Sequence, residues 1–158
     1  MPSGTMAQNI ALLIHSKKEH MDIDEIRNSR AGQSYESRFA CHHTSHLLLW
    51  EEESYSKLVG MRAVPVDTRS KSEKLHVPPM RFEDVESVFL QEGKKCVEGG
   101  SLSENGFSSL LIELPHRELG GKLTPWEDIV LIGDLCKKHG VKYHCDGARI
   151  FEASAGYG

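Results

Sequence analysis

Met6, Ile10, Leu13 and Ile14 fall on one face of a 3.6-residue repeat, which predicts a helix opening just after Ser3, with Ser3 as its N-cap. Ser16–Glu36 is polar and charged and reads as a loop or irregular insertion. Arg38–His42 reads as a short strand. Thr44–Lys57 reads as a helix with Leu47, Leu48, Trp50 and Glu51 in its first turns. Val64 and Val66 alternate in a strand over Met61–Val66. Asp67–Pro79 is a charged, Ser/Pro-containing loop. Phe82, Val85 and Phe89 at i, i+3 and i+7 mark a further helix, and Gly99–Gly106 is a Gly/Ser turn region.

The last third has the sharpest pattern. Ser109–Leu114 is a mostly apolar strand, and Pro115–Leu123 is a loop carrying Gly120-Gly121. Thr124-Pro125-Trp126-Glu127 reads as a capping box with Pro at the first helical position. The helix it opens is predicted to turn Trp126, Ile129, Val130 and Gly133 inward. Lys137, Lys138 and His139 suit the negative end of its dipole, and Gly140 supplies the left-handed stop. Val141–Cys145 is then a short strand. Strand, helix and strand joined by short loops make a βαβ unit, so the expected class is α/β with a mostly parallel sheet and flanking helices.

Composition adds exclusions. The 158 residues are 39% hydrophobic and 27% charged, the make-up of one ordinary globular domain. A net charge of −4 gives no basic face for nucleic acid. No apolar run reaches the ~20 residues that span a bilayer, and no signal-peptide pattern opens the chain. Cys41, Cys96, Cys136 and Cys145 show no C-x-x-C spacing, so reduced thiols and a cytoplasmic setting are expected.

Four clusters could carry chemistry. Ser3-Gly4-Thr5-Met6-Ala7 at a helix start is suited to an anion, although most such starts are plain caps. Asp146-Gly147-Ala148-Arg149 follows a short strand, where α/β sheets bind ligands; Asp can pair with a cation and Arg with a carboxylate. The plainer reading is a turn with a surface ion pair. Cys41-His42-His43-Thr44-Ser45-His46 suggests a metal held by Cys41, His42 and His46, against a strand end followed by a helix cap. Glu113-Leu114-Pro115-His116-Arg117 again sets polar side chains after a strand. His15, His20, His76, His139 and His144 show no partner in the sequence.

In this order, these pieces resemble the threonine aldolase and β-eliminating lyase family over essentially the whole chain. Ser3-Gly4-Thr5-Met6-Ala7 is similar to its opening helix. His144-Cys145-Asp146-Gly147-Ala148-Arg149-Ile150-Phe151 is similar to its cofactor-ring motif, with Thr44-Ser45-His46-Leu47 and Glu113–Gly121 between them. The resemblance implies a fold type I, pyridoxal-phosphate-dependent architecture, of which residues 1–158 are part of the large domain. It implies that Gly4 and Thr5 hold the cofactor phosphate. It implies that His46 stacks on the ring and acts as a base near the substrate hydroxyl. Asp146 then pairs with the ring nitrogen, and Arg149 contacts a ring oxygen or the substrate carboxylate. The implied reaction cleaves β-hydroxy-α-amino acids such as threonine to glycine and an aldehyde, in a complete protein that is a homo-oligomer, a dimer or tetramer.

Two departures stand out. Pro115-His116-Arg117 replaces the Asn/Thr-rich stretch of the best-known aldolases. No lysine follows Asp146, whereas the family's Schiff-base lysine lies downstream of that motif. The expectation is an interior piece of a longer enzyme, without the preceding segment, the lysine segment and the small C-terminal domain, and nearly inactive alone. The alternatives are a non-catalytic pyridoxal-phosphate- or phosphate-binding remnant, and the metal protein built on Cys41, His42 and His46.

Overall fold

The computed structural model describes residues 3–16, 37–68, 77–99 and 106–158. The expectations for Ser16–Glu36, Asp67–Pro79 and Gly99–Gly106 therefore fall largely outside the described residues. Four strands form one sheet: β1 (Arg38–His42), β2 (Arg62–Val66), β3 (Ser109–Glu113) and β4 (Lys142–Asp146). Their order is β2-β1-β3-β4, and every pairing is parallel. All four C-terminal tips thus lie along one edge. There the register sets Glu113 of β3 directly beside Asp146 of β4.

Side chains alternate across the sheet and build a core on each face. Ala40, Leu110 and Ile112 join Val85, Phe89, Ile132 and Cys136 on one side. Phe39, Cys41 and Leu111 join Leu12, Leu47 and Met61 on the other. The first core packs under α4 (Phe82–Gly99) and α5 (Trp126–Lys138). The second packs under α1 (Gly4–Ser16) and two short helices, α2 (His46–Leu49) and α3 (Ser54–Lys57). All five residues of β3 are buried, as a central parallel strand covered on both faces requires.

The βαβ unit is β3, α5, β4. At the end of α5, Gly140 sits at φ +66°. Its N–H donates to the Lys137 carbonyl and that of Val141 to the Cys136 carbonyl, a Schellman turn. The start of α5 departs from expectation. Pro125 occupies the cap and no side chain caps the helix. Thr124 is buried, and its carbonyl accepts the Tyr157 hydroxyl at 2.5 Å. The inward face carries Asp128, Ile132 and Cys136, while Trp126 and Val130 are exposed. Arg81 pairs with Asp128, which makes burial of that carboxylate tolerable. Trp126 instead meets the Tyr157 ring edge-on.

The first helix forms as predicted, with Ser3 Oγ accepting the Met6 N–H at 3.1 Å. Its orientation differs. Asn9 and Leu12 are buried, and Met6, Ile10, Leu13 and Ile14 are exposed. Nδ2 of the buried Asn9 donates to the Thr5 carbonyl at 2.8 Å and to Ser54 Oγ at 2.9 Å, so this polar contact and Leu12, not the apolar stripe, dock α1. The single helix expected over Thr44–Lys57 is broken in two, because Glu52 and Glu53 turn the chain at φ 48° and 58°. Among the described residues, no helix is long and apolar enough to cross a membrane.

Candidate active site

The site is built at the C-terminal edge of the sheet. Asp146 ends β4, and its Oδ1 accepts the Ala148 N–H at 3.1 Å. This bond holds the turn that leads through Arg149 into α6 (Ile150–Tyr157). Gly147 belongs in that turn: a Cβ there would lie 3.3 Å from Cβ of Ile150. The opening of α1 is tied alongside by His144 Nε2, 2.9 Å from Gln8 Oε1. His15 meets the His144 ring edge-on, so neither of these histidines is without a partner, contrary to the sequence reading.

His46 opens α2. Its backbone N–H donates to Oε2 of Glu113 at 3.0 Å, and Oε1 of Glu113 accepts the Arg117 N–H at 3.0 Å. One buried carboxylate therefore fixes both loops that rise over the strand tips. The His46 ring lies with Nδ1 3.5 Å from Oε1 of Glu51. Burial pushes the Glu51 carboxyl above the usual range, although His46 opposes that shift.

Gly4, Thr5, His46, Asp146 and Arg149 all line one cavity of about 280 Å³. The structure thus brings together all five residues singled out from the sequence. Glu51 and Glu113 line it as well; the sequence reading placed Glu113 in a candidate strand-end cluster without a specific role and gave Glu51 none. A polar residue closing an otherwise apolar strand was the available signal for Glu113. Glu51 carried none, because its placement depends on the break between α2 and α3.

The cavity wall is chemically divided. The Gly4 and Thr5 amides at the start of α1 have no acceptor among the described residues, which is a ready setting for an anion. A Cβ on Gly4 would meet nothing within 4 Å, so the backbone there is open to a close approach. Asp146 and Arg149 supply one charge of each sign, and the His46 imidazole offers a flat ring. A small aromatic cation with an anionic arm fits this donor set; pyridoxal 5'-phosphate with its ring nitrogen protonated is such a molecule.

The metal alternative fares differently. Cys41 is fully buried in the core, and burial pushes its thiol up. His42 ends a strand and His46 opens a helix, so the two do not share one helix face. Both its ring nitrogens are engaged. Nδ1 accepts the Thr44 N–H at 3.1 Å, and Nε2 lies 2.9 Å from Thr68 Oγ1 and 3.1 Å from the Pro78 carbonyl. Among the described residues, no group of three His, Cys, Asp or Glu side chains is placed to hold a metal.

A parallel sheet covered on both faces, with a polar cavity at its strand tips, defines an α/β ligand-binding or catalytic domain. The family model described as beta-eliminating lyase matches residues 1–158, and the chain belongs to that family. It is 28% identical over 158 residues to "Probable low-specificity L-threonine aldolase 2" of Arabidopsis thaliana. It is 28% identical over 153 residues to "Low specificity L-threonine aldolase" of Saccharomyces cerevisiae. These matches take in 100% and 97% of this chain but 37% and 32% of the relatives. A Listeria monocytogenes structure described as a "putative L-allo-threonine aldolase" superposes with a TM-score of 0.64 at 29% identity. That superposition covers 99% of this chain and 33% of the other. The chain thus spans about a third of the length of these relatives, and its mostly parallel sheet with flanking helices is of the fold type I class.

Proposed function

We propose that these residues are the cofactor-binding part of a pyridoxal-phosphate-dependent carbon–carbon lyase. The complete protein cleaves β-hydroxy-α-amino acids such as threonine to glycine and an aldehyde, and acts as a homo-oligomer in the cytoplasm. The observation that carries this reading is the convergence of Gly4, Thr5, His46, Asp146 and Arg149 on one cavity. When bound, the cofactor ring supplies a sink for the electron pair released at the substrate α-carbon.

The chain's own residues have separate tasks. The Gly4 and Thr5 amides, with the Thr5 hydroxyl, bind the phosphate at the positive end of α1. The Asp146 carboxylate keeps the ring nitrogen protonated. His46 covers a ring face and takes the proton of the substrate hydroxyl. Arg149 holds a carboxylate or a ring oxygen with a charge-assisted pair.

Titration of the chain with pyridoxal 5'-phosphate, read by cofactor fluorescence, tests the assignment. Saturable binding is expected, with competition by inorganic phosphate. Asp146→Ala should weaken binding about tenfold, the loss of ~1.4 kcal/mol of pairing. Absence of saturable binding, or equal binding by a folded Asp146→Ala chain, contradicts the proposal.

A further inference from the structure

The carboxylate of Glu51 has no part in the roles assigned above, yet it is buried at the wall of the same cavity. The left-handed turn at Glu52 and Glu53 ends α2 and begins α3, and it leaves the Glu51 side chain only 4% exposed. Oε1 lies 3.5 Å from Nδ1 of His46, while Oε2 is buried without a hydrogen-bond partner among the described residues. Asp146 from β4 adds a like charge, and Ser54 from α3 lies against the same carboxyl. A buried carboxylate with one orphan oxygen is costly unless a cation forms beside it. His46 is the group beside it that can become one.

We infer that Glu51 is a positioning residue that holds the His46 imidazole with its proton on Nδ1 and its Nε2 lone pair available to the cavity. The inference rests on the reading in which His46 accepts the substrate's hydroxyl proton. The Glu113 contact to the His46 backbone sets where the residue sits but not which ring nitrogen carries hydrogen. A carboxylate at Nδ1 sets that, because the N–H turns toward the anion and leaves the other nitrogen as acceptor. The proton then passes from the hydroxyl oxygen to Nε2. The Nδ1 proton stays where it is, and the positive charge arriving on the ring faces Glu51.

Long-range ¹H–¹⁵N correlation spectra of the chain at about pH 8, where an ordinary His is neutral, read the tautomer directly. The His46 signals are assigned by their loss in His46→Gln. In the wild-type chain the neutral ring should carry its proton on Nδ1. In Glu51→Leu it should move to Nε2, and Glu51→Asp should restore part of the Nδ1 form. A wild-type ring protonated on Nε2, or a tautomer unchanged in Glu51→Leu, overturns the inference. Should Glu51→Leu fail to fold, ¹³C titration of the Glu51 carboxyl replaces it. Its midpoint should rise in His46→Gln, and an unchanged midpoint overturns the inference equally. Neither measurement contains cofactor, so failure of the lyase assignment would appear separately, as lost pyridoxal-phosphate binding with the tautomer intact.

Discussion

The backbone N–H of His46 donates to the carboxylate of Glu113 at 3.0 Å, joining residues 67 positions apart in the chain. The second oxygen of that carboxylate takes the Arg117 amide, so the side chain ties together the loops after β1 and β3. Hydrogen bonds to a charged group contribute ~1.5–3 kcal/mol each, and Glu113 makes its two while buried. Glu113→Ala should therefore lower the free energy of unfolding in urea by about 3–6 kcal/mol. Glu113→Gln, which keeps one acceptor oxygen, should lose roughly half as much. A loss below ~0.5 kcal/mol in Glu113→Ala would show that the clamp carries no weight.

Gly4 separates binding from stability. Beyond its chain neighbours and its own helix backbone, a methyl group there meets no described residue within 4 Å, so Gly4→Ala should leave the urea midpoint unchanged or slightly raised. The same methyl group projects beside the unpaired amides of the cavity. Affinity for pyridoxal 5'-phosphate should fall about tenfold, while affinity for pyridoxal, which lacks the phosphate, should not change. Equal losses for the two ligands would place the phosphate elsewhere.

His42 makes stability depend on pH. Burial, then the neighbouring His116 and His43, lowers its pKa from 6.5 to about 3. The folded chain therefore keeps this ring neutral where the unfolded chain binds a proton. Its contribution is complete above pH 6.5 and is lost as the pH falls toward 3. Across that window the cost approaches ~1.4 kcal/mol per pH unit. The urea midpoint of the wild-type chain should drop between neutral and mildly acidic pH, and His42→Gln should flatten the drop. His144 and His15 are shifted in the same direction by burial, so the difference between the two chains is the quantity to read. Parallel pH profiles would contradict the assignment.

The parallel sheet was legible because β3 centres on the apolar run Leu110–Ile112 and α5 ends in a charged turn followed by Gly140. The convergence of Gly4, Thr5, Asp146 and Arg149 on one cavity was foreshadowed because Asp146-Gly147-Ala148-Arg149 and Ser3-Gly4-Thr5 are local motifs at element ends. Facing errors had a common cause. The apolar stripes of α1 and α5 predict burial, yet Asn9 and Asp128 face inward, each bonded to a partner distant in sequence. Periodicity cannot see Ser54 or Arg81. The break after α2 was hidden for a related reason: Glu52 and Glu53 adopt left-handed backbone without the Gly or Asn that advertises it. Glu51 therefore emerged only from the folded chain, as did the two backbone contacts of Glu113, itself a member of the strand-end cluster read from the sequence. His15 and His144 likewise gained their partners only by tertiary contact.

A crystal structure of the chain soaked with pyridoxal 5'-phosphate tests the central claim most directly. The pyridine nitrogen should lie ~2.8 Å from an oxygen of Asp146, with the phosphate on the Gly4 and Thr5 amides and the ring against His46. A cofactor bound outside this cavity, or bound in it with its phosphate away from the start of α1, would contradict the account.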